Sequence, residues 1–524
     1  MNPFQGGRHA NFAKEVPIPE FLHGLKPRRA FILAAPGILL VITAYVWLIS
    51  FGSWSKWPTT TNYYNQLATA FEHGSFSLET KPKPALLALP DPYDPGARAG
   101  IDFLKDASLY HGRYYLYFGP IPALILAAFK RWVPGQPGDQ YLAFAGVSGM
   151  FLVQSMLILK IWGRFFQSIS VWLLVMCILF AGLISPVTWI LTQARIYEAA
   201  ASSGQFFFLA GFYLIVIALE QRSSGRKSLL FLAGGTLWAL AIGSRLTQIL
   251  PVGFMIVTIA FLSVKTYRQN RELLQAVVPM ELLGGPVVLG MAVLGRYNWA
   301  RFHSIFETGL SYQLAGPNLQ KYSHVLFSPL YILPDLYNYL AAPPHLHGIF
   351  PFVAAIPGSG AAIFSYVPLP PVYYNTPLTG LLFSTPFVLC AGLSVASLAR
   401  RGKSAMLPAE PAGSSYPFKW LIAGLLGSWI FGFAPFVSFF WVAPHYQTDF
   451  TPCLVILSII GFWQGCGFMA RKPEAVHKLY VAAGMALMAA SILIGILLAF
   501  SAHAAQFQQS NPVLWKQLLG LFSR

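Results

Sequence analysis

FILAAPGILLVITAYVWLI, residues 31–49, is a run of nineteen residues without a single charge. At about 1.5 Å of rise per residue, a helix of this length crosses the ~30 Å hydrocarbon layer of a bilayer. About thirty mostly polar residues precede the run and no small-residue cleavage site follows it. It is therefore expected to stay as a first membrane anchor rather than be removed as a signal.

Working outward, ten further apolar runs are long enough to be read as crossings. With the first, the expected spans are 30–51, 140–161, 169–190, 198–219, 228–248, 250–264, 276–296, 377–398, 418–441, 446–468 and 478–501. The pair meeting around Ser244–Pro251 has short arms and reads as a tight helical hairpin. Composition agrees: 56% of the 524 residues are hydrophobic and only 10% are charged, against about 25% charged in soluble domains. Mean hydropathy is +0.56. So few charges cannot cover a water-facing surface, whereas a lipid-facing one needs almost none. The expected fold class is an all-α polytopic membrane protein of about eleven transmembrane helices.

The net charge of +17 does not point to nucleic acid. Lys and Arg collect in short segments between apolar runs, as the positive-inside rule requires. Membrane lipids are the expected surroundings, with anionic lipid or a phosphorylated substrate as the narrower alternative. Arg8, Lys14, Lys26, Arg28 and Arg29 put residues 1–29 inside. The inner loops then hold Lys160 and Arg164; Arg222, Arg226 and Lys227; Lys265, Arg268 and Arg271; Arg400, Arg401 and Lys403; and Arg471, Lys472 and Lys478. This requires that YLYFGPIPALILAAFKRWV, residues 115–133, does not cross. Short and carrying Pro120 and Pro122, it reads as a re-entrant or interfacial helix. The expected order is a cytoplasmic segment 1–29, a first helix 30–51, a first extracytoplasmic loop 52–139, central helices 140–296, a second extracytoplasmic loop 297–376, C-terminal helices 377–501 and an extracytoplasmic tail 502–524. In the tail, NPVLWKQLLGLF suits an amphipathic helix in the interface. The expected location is a cytoplasmic (inner) membrane, crossed many times, with the N-terminus inside.

Cys177, Cys390, Cys453 and Cys466 all lie in apolar runs without a CxxC partner, so neither a zinc site nor a disulfide framework is suggested. There is no Walker A loop, dinucleotide glycine motif, HExxH or GxSxG. Cytoplasmic use of ATP or a nucleotide-sugar is accordingly not expected.

With only 18 Asp and Glu in the chain, the placement of acids is informative. Asp91, Asp94, Asp102 and Asp106 gather in PDPYDPGARAGIDFLKDASLYHGRYYLYFGP. Asp-Pro pairs at 91 and 94 favour turns. Asp106, beside His111 and Arg113, is the better candidate for a general base or a cation ligand. In TQARIYEAAASSGQFF, Arg195 and Glu198 share a helical face if the helix has already begun; they read either as an interfacial ion pair or as groups facing a cavity. Arg245, in GSRLTQILP, could grip a lipid-linked phosphate with its forked donors or snorkel to the surface. In WVAPHYQTDFTPCLVIL, His445, Tyr446 and Asp449 enter a span from the outer side; Asp449, about one turn into the helix, either caps it or faces an aqueous cavity. The second loop offers Glu307, Asp335, His345 and His347, the two histidines at a spacing that is only a weak metal signal.

Several of these stretches carry a resemblance. TNYYNQLATAFEHGSFSLE after the first span, DASLYHGRYYLYFGPIPALIL, IYEAAASSGQFF, GSRLTQILP and HYQTDFTPCLVIL together resemble bacterial GT-C-type membrane glycosyltransferases. The last is similar to a late-helix pattern of the protein-mannosyl and aminoarabinose transferase relatives, with His445 where Arg is usual. The resemblance implies a GT-C-like fold and a sugar donor carried on polyprenyl phosphate. It also implies an envelope lipid, glycan or protein acceptor outside the cytoplasmic membrane. No cofactor is required; a divalent cation could assist, though no ligand set stands out. One departure matters. Those enzymes carry an acid just after the first span, and here Asn62 stands near its place. Asn cannot serve as a general base at neutral pH. Either another acid supplies catalysis, Asp106 or Glu72, with Arg245 or Arg195 steadying the leaving phosphate, or the fold is kept and transfer lost. A non-catalytic protein of envelope assembly is thus the competing reading, and a transporter or flippase the third. The third lacks the internal repeats expected of it.

Overall fold

The computed structural model describes residues 20–130, 132, 137–270, 273–356, 359–399, 417–502 and 504–522. Arg8, Lys14, Arg271, Arg400, Arg401 and Lys403 lie outside them. Helix α1 (Glu20–Ile49) carries the first apolar run, and after it the chain enters a long loop. That loop contains α2 (Tyr63–Glu72), a hairpin of β1 (Ser108–Tyr110) and β2 (Arg113–Tyr115), and α3 (Ile121–Lys130). Six helices follow: α4 (Asp139–Phe165), α5 (Val171–Leu183), α6 (Ile196–Glu220), α7 (Ser224–Ser244), α8 (Ile249–Asn270) and α9 (Leu273–Phe302). A second long loop leads to α10 (Ala391–Ala399), α11 (Phe418–Phe433), α12 (Thr451–Met469), α13 (Glu474–Ala502) and a C-terminal α14 (Pro512–Phe522).

Among the described residues, nine helices are long and apolar enough to cross a membrane. The chain is a multi-pass, helical membrane protein. Two expected crossings are built differently. The run at 169–190 breaks at Ser185–Pro186 into α5 and a short Val187–Thr192 helix. The run at 377–398 is made of Leu381–Ser384, a 3-10 turn at Pro386–Cys390 and α10. Proline removes an amide donor from the helix ladder, and both breaks hold one. The arms around Ser244–Pro251 are 21 and 22 residues long: the first is shifted from 228–248 to Ser224–Ser244, and the second runs beyond the expected 264 to Asn270. Helix α7 starts among Arg226 and Lys227, and α8 runs on past Lys265 and Arg268. Such side chains carry their charge out of the apolar layer on long stems.

The bundle is held by packing rather than by expulsion of water, which lipid does not supply between helices. Helix α12 is the most enclosed of the spans, and α6 lies packed between α4 and α7. Small residues allow this: a Cβ on Gly211 would come within 2.6 Å of the Trp238 ring. Outward faces carry Phe31, Ile32, Leu39 and Leu40 on α1, Val257 and Phe261 on α8, and Val288 and Leu289 on α9, all exposed.

The loops alternate between the two ends of the bundle. One end carries the described basic residues Arg164, in the last turn of α4, and Arg222, Arg471 and Lys472, between helices. The other gathers both long loops, the short links before α6 and α8, and the 434–450 segment. There the first loop pairs with the second, the Asp106 amide donating to the Leu314 carbonyl at 3.1 Å and the Leu314 amide to the Ala107 carbonyl at 2.9 Å. The second loop in turn pairs in parallel with the 434–450 segment, Tyr374 opposite Trp441. Among its described residues, segment 115–133 forms the ten-residue α3, which is too short to cross. The tail helix α14 lies at the same end, its Trp515 buried against Phe350 and Phe507, with Val513 and Leu521 exposed.

Candidate functional site

Two adjoining cavities open where the loops meet the helix ends. The smaller, about 190 Å³, is walled by aromatic and aliphatic side chains, Phe118, Leu246, Phe327 and Phe436 among them, with Arg245 as its charged group. The larger, about 480 Å³, is more polar: Lys105, Asp106, Gln313 and Tyr373 line it beside Tyr374, Phe440 and Trp441. Tyr117, Leu310, Phe439 and Tyr446 belong to both walls. The junction is tight because α3 starts against the end of α7. Gly119 lies so close to the Gly243 carbonyl that no Cβ fits between them.

Arg245 sits between α7 and a 3-10 turn at Leu246–Gln248, in extended backbone that ends the helix. Its guanidinium grips Asp449 from two nitrogens, Nε to Oδ1 at 3.3 Å and Nη2 to Oδ2 at 3.0 Å. Thr247 Oγ1 and Gln248 Nε2 also donate to Oδ1, each at 3.2 Å. The Asp449 side chain has no exposed surface. An acid so deep requires this many donors, since an unpaired buried charge is costly. Both alternatives read for Asp449 give way to this one. It lies in the 3-10 segment Pro444–Asp449, before α12 begins, and serves as the Arg245 counter-ion. Nη1 of Arg245 makes no hydrogen bond among the described residues, and Arg245 lines the smaller cavity. Tyr446 and Phe436 lie beneath the guanidinium, 5.4 and 5.9 Å from ring centre to Cζ.

Asp106 holds a left-handed backbone conformation, φ 61°, which Asp tolerates better than most residues. The pairing with Leu314 fixes it there. Tyr197, at the start of α6, donates its hydroxyl to Asp106 Oδ2, leaving Oδ1 without a hydrogen bond among the described residues. Burial pushes the Asp106 carboxyl above its ordinary value, while the Tyr197 hydrogen bond and the charges of Lys105, Arg98 and Arg195 pull it back. A raised pKa makes a carboxylate a stronger base. Tyr197 also stacks on His445, centroids 5.1 Å apart. Burial and the charges of Arg245 and Arg195 push His445 well below its ordinary value. It is therefore neutral, and its 3.9 Å approach to Glu198 is not an ion pair.

The remaining candidates fall elsewhere. Helix α6 begins at Ile196, so Arg195 precedes it and shares no helical face with Glu198. Instead Glu198 Oε2 accepts the Arg195 backbone amide at 3.1 Å, capping the helix. Glu72 ends α2, partly exposed and 3.7 Å from Lys130, and lines neither cavity. His111 and Arg113 are exposed in and after the hairpin turn. Asp91 and Asp94 make turns, accepting the Tyr93 and Gly96 amides, and Asp102 pairs with Lys83 on the surface. Glu307 accepts the Gly309 amide. His345 is exposed on a short strand, and His347, half-buried just after it, turns its Nδ1 to the Ile349 carbonyl. No group of three His, Cys, Asp or Glu among the described residues is placed to hold a metal ion.

Sequence reasoning missed Tyr197, Tyr117, Gln313 and Gln248. Tyr197 was adjacent to a quoted acid, and Gln248 stands three residues after Arg245. It also missed Asp139. This acid, at the start of α4, accepts from Thr61 Oγ1 at 2.6 Å and from the Tyr63 and Tyr64 amides at 3.0 Å. It thereby caps α2 from another segment, while Asn62 only accepts from Gln66.

No family profile and no curated protein matches this chain. Among solved structures it is similar to the archaeal oligosaccharyltransferase AglB from Archaeoglobus fulgidus in complex with an inhibitory peptide and a dolichol-phosphate. That likeness has 10% identity and a TM-score of 0.46 over 91% of this chain and 56% of that one. It is also similar to ArnT from Cupriavidus metallidurans bound to undecaprenyl phosphate, at 13% identity and a TM-score of 0.39 over 94% of this chain and 77% of that one. The chain thus matches little more than half the length of the archaeal enzyme.

Proposed function

We propose that this chain is a membrane glycosyltransferase of the cell envelope. It moves a sugar from a polyprenyl-phosphate carrier to a lipid, glycan or protein acceptor. One observation carries the reading: an apolar cavity holding an arginine adjoins a polar, aromatic cavity holding a base, at one end of a membrane bundle. The first takes the phosphate-proximal end of the prenyl chain, whose phosphate meets Nη1 of Arg245, as guanidinium forks suit phosphate. In the second, Asp106 Oδ1 takes the proton of an acceptor hydroxyl. The hydroxyl oxygen bonds to the anomeric carbon. The carbon–oxygen bond to phosphate breaks, its electron pair leaving with polyprenyl phosphate. Tyr197 positions the base. The basic residues at the opposite end support a cytoplasmic placement for that end, and hence catalysis outside the inner membrane.

The competing reading, a non-catalytic binder of the same lipid, is favoured by one observation. The Arg245 charge is already neutralised by Asp449, which weakens its hold on a transition-state phosphate. The test is a transfer assay in nanodiscs with radiolabelled polyprenyl-phosphate sugars from membrane extract, wild type beside Asp106→Asn. Label moving in wild type and not in the variant supports transfer with Asp106 as base. Equal transfer by both sinks that assignment. Lipid retained without transfer under any donor or cation favours the binder.

A further inference from the structure

Behind the larger cavity lies a carboxyl group that the chemistry above does not use. Asp335, in the short helix Ile332–Leu336 of the second loop, is fully buried. Its Oδ1 is 2.7 Å from the Tyr373 hydroxyl, and Oδ2 has no partner among the described residues. Asn338 Nδ2 approaches the same hydroxyl at 3.2 Å. The Asn338 amide is oriented unambiguously, because its Oδ1 accepts the Gly360 amide at 2.9 Å. Nδ2 therefore donates to Tyr373. The Tyr373 ring stacks on Tyr331, centroids 5.1 Å apart, and lines the cavity that Asp106 lines. Two buried polar groups thus converge on the hydroxyl of a tyrosine that lines the cavity.

We propose that Tyr373, set by Asn338 and Asp335, is the hydrogen-bonding group that recognises a ring hydroxyl of the sugar on the lipid-phosphate donor. The proposal rests on the donor reading above. Tyr374, Phe440 and Trp441 on the same wall offer the apolar faces on which a sugar ring stacks, and Tyr373 supplies direction.

The proton on Asp335 decides which way Tyr373 points. Burial pushes the Asp335 carboxyl up to about 8, against a smaller pull from the Tyr373 hydrogen bond. The elements packed most closely on its helix, Pro329–Tyr331, Tyr337–Ala341, Ser359–Ile363 and Phe436–Ser438, bring only Tyr331, Tyr337 and Tyr339 as titratable groups. No cation among them favours the carboxylate. While protonated, Asp335 donates to the Tyr373 oxygen beside Asn338. Both lone pairs are then used, and the tyrosine hydrogen is turned toward the ligand. Once ionised, Asp335 accepts that hydrogen and withdraws it. Sugar recognition is therefore present at neutral pH and lost as Asp335 ionises. Asp335 is a positioning residue.

The experiment compares farnesyl phosphate with farnesyl phosphate carrying mannose, glucose or galactose, binding to the full chain in nanodiscs. At least one sugar is expected to tighten binding about three- to tenfold. Tyr373→Phe removes that increment, read against the variant's own affinity for farnesyl phosphate. In wild type the increment falls between about pH 7 and about pH 9.5, and in Asp335→Asn it does not. An increment that survives Tyr373→Phe, or is flat with pH in wild type, overturns the proposal. If Tyr373→Phe loses farnesyl phosphate as well, that substitution has disturbed the fold, and the pH profiles decide: an increment that falls with pH in wild type and stays flat in Asp335→Asn supports the proposal, and any other pair of profiles overturns it. Farnesyl phosphate bound with no increment for any sugar overturns the proposal and leaves the donor reading standing. No binding of farnesyl phosphate by wild type overturns both.

Discussion

Replacing Tyr197 with Phe removes one hydroxyl and leaves the ring that stacks on His445. That hydroxyl donates to Asp106 Oδ2 and stabilises the ionised carboxylate over the neutral acid. A hydrogen bond to a charged group contributes about 1.5–3 kcal/mol, and one pKa unit is about 1.4 kcal/mol. The Asp106 carboxyl, already raised by burial, should therefore rise by about one to two further units. The base works only when ionised, so transfer grows as pH passes upward through this pKa. The acid limb of kcat/KM should move to higher pH by the same one to two units, costing about ten- to a hundredfold in rate on that limb. On the alkaline plateau the variant should approach wild type. The assay is transfer of radiolabelled sugar in nanodiscs across a pH series, with Asp106→Asn as the variant that abolishes the limb. An acid limb that stays in place, or moves to lower pH, refutes the hydrogen bond's role and with it Asp106 as the group read by the profile.

Asp449→Ala leaves the buried Arg245 charge without its counter-ion and should cost about 3–5 kcal/mol, read as a fall in detergent melting temperature; the Arg245→Met, Asp449→Leu double variant should recover most of that stability. Asp106→Asn should raise the melting temperature near neutral pH. The raised folded-state pKa means that Asp106's contribution to stability is present in acid and lost as pH rises through that pKa, and the amide never ionises. A melting temperature equal to or below wild type at neutral pH would contradict this. Asp139→Ala removes three hydrogen bonds that cap α2 and should cost about 2–4 kcal/mol, with faster amide exchange confined to residues 61–66. Glu72→Gln should leave transfer unchanged, because Glu72 lines neither cavity; a large loss would return it to the site.

The membrane class and most helix positions were legible from local pattern alone. Apolar runs, their lengths and the basic residues between them are properties of neighbouring residues, and the bilayer imposes the rest. The turns at Asp91 and Asp94 were legible for the same reason, each aspartate bonding an amide two residues on. Asp106 and Arg245 stood out because charge is scarce in this chain. What they do could not be read there. Arg245 and Asp449 are 204 residues apart, Asp106 and Tyr197 are 91 apart, and Asp335 and Tyr373 are 38 apart. Contacts over such separations depend on how loops cross above the bundle, which no local period encodes. So the sequence by itself determined that acids and a guanidinium lie at one end of a membrane bundle. Only the tertiary structure decided that one acid neutralises the guanidinium, another caps a helix, a third stays buried behind a tyrosine, and Asp106 faces a cavity. A charge is costly to bury unpaired, so each group's role is set by the partner the fold supplies.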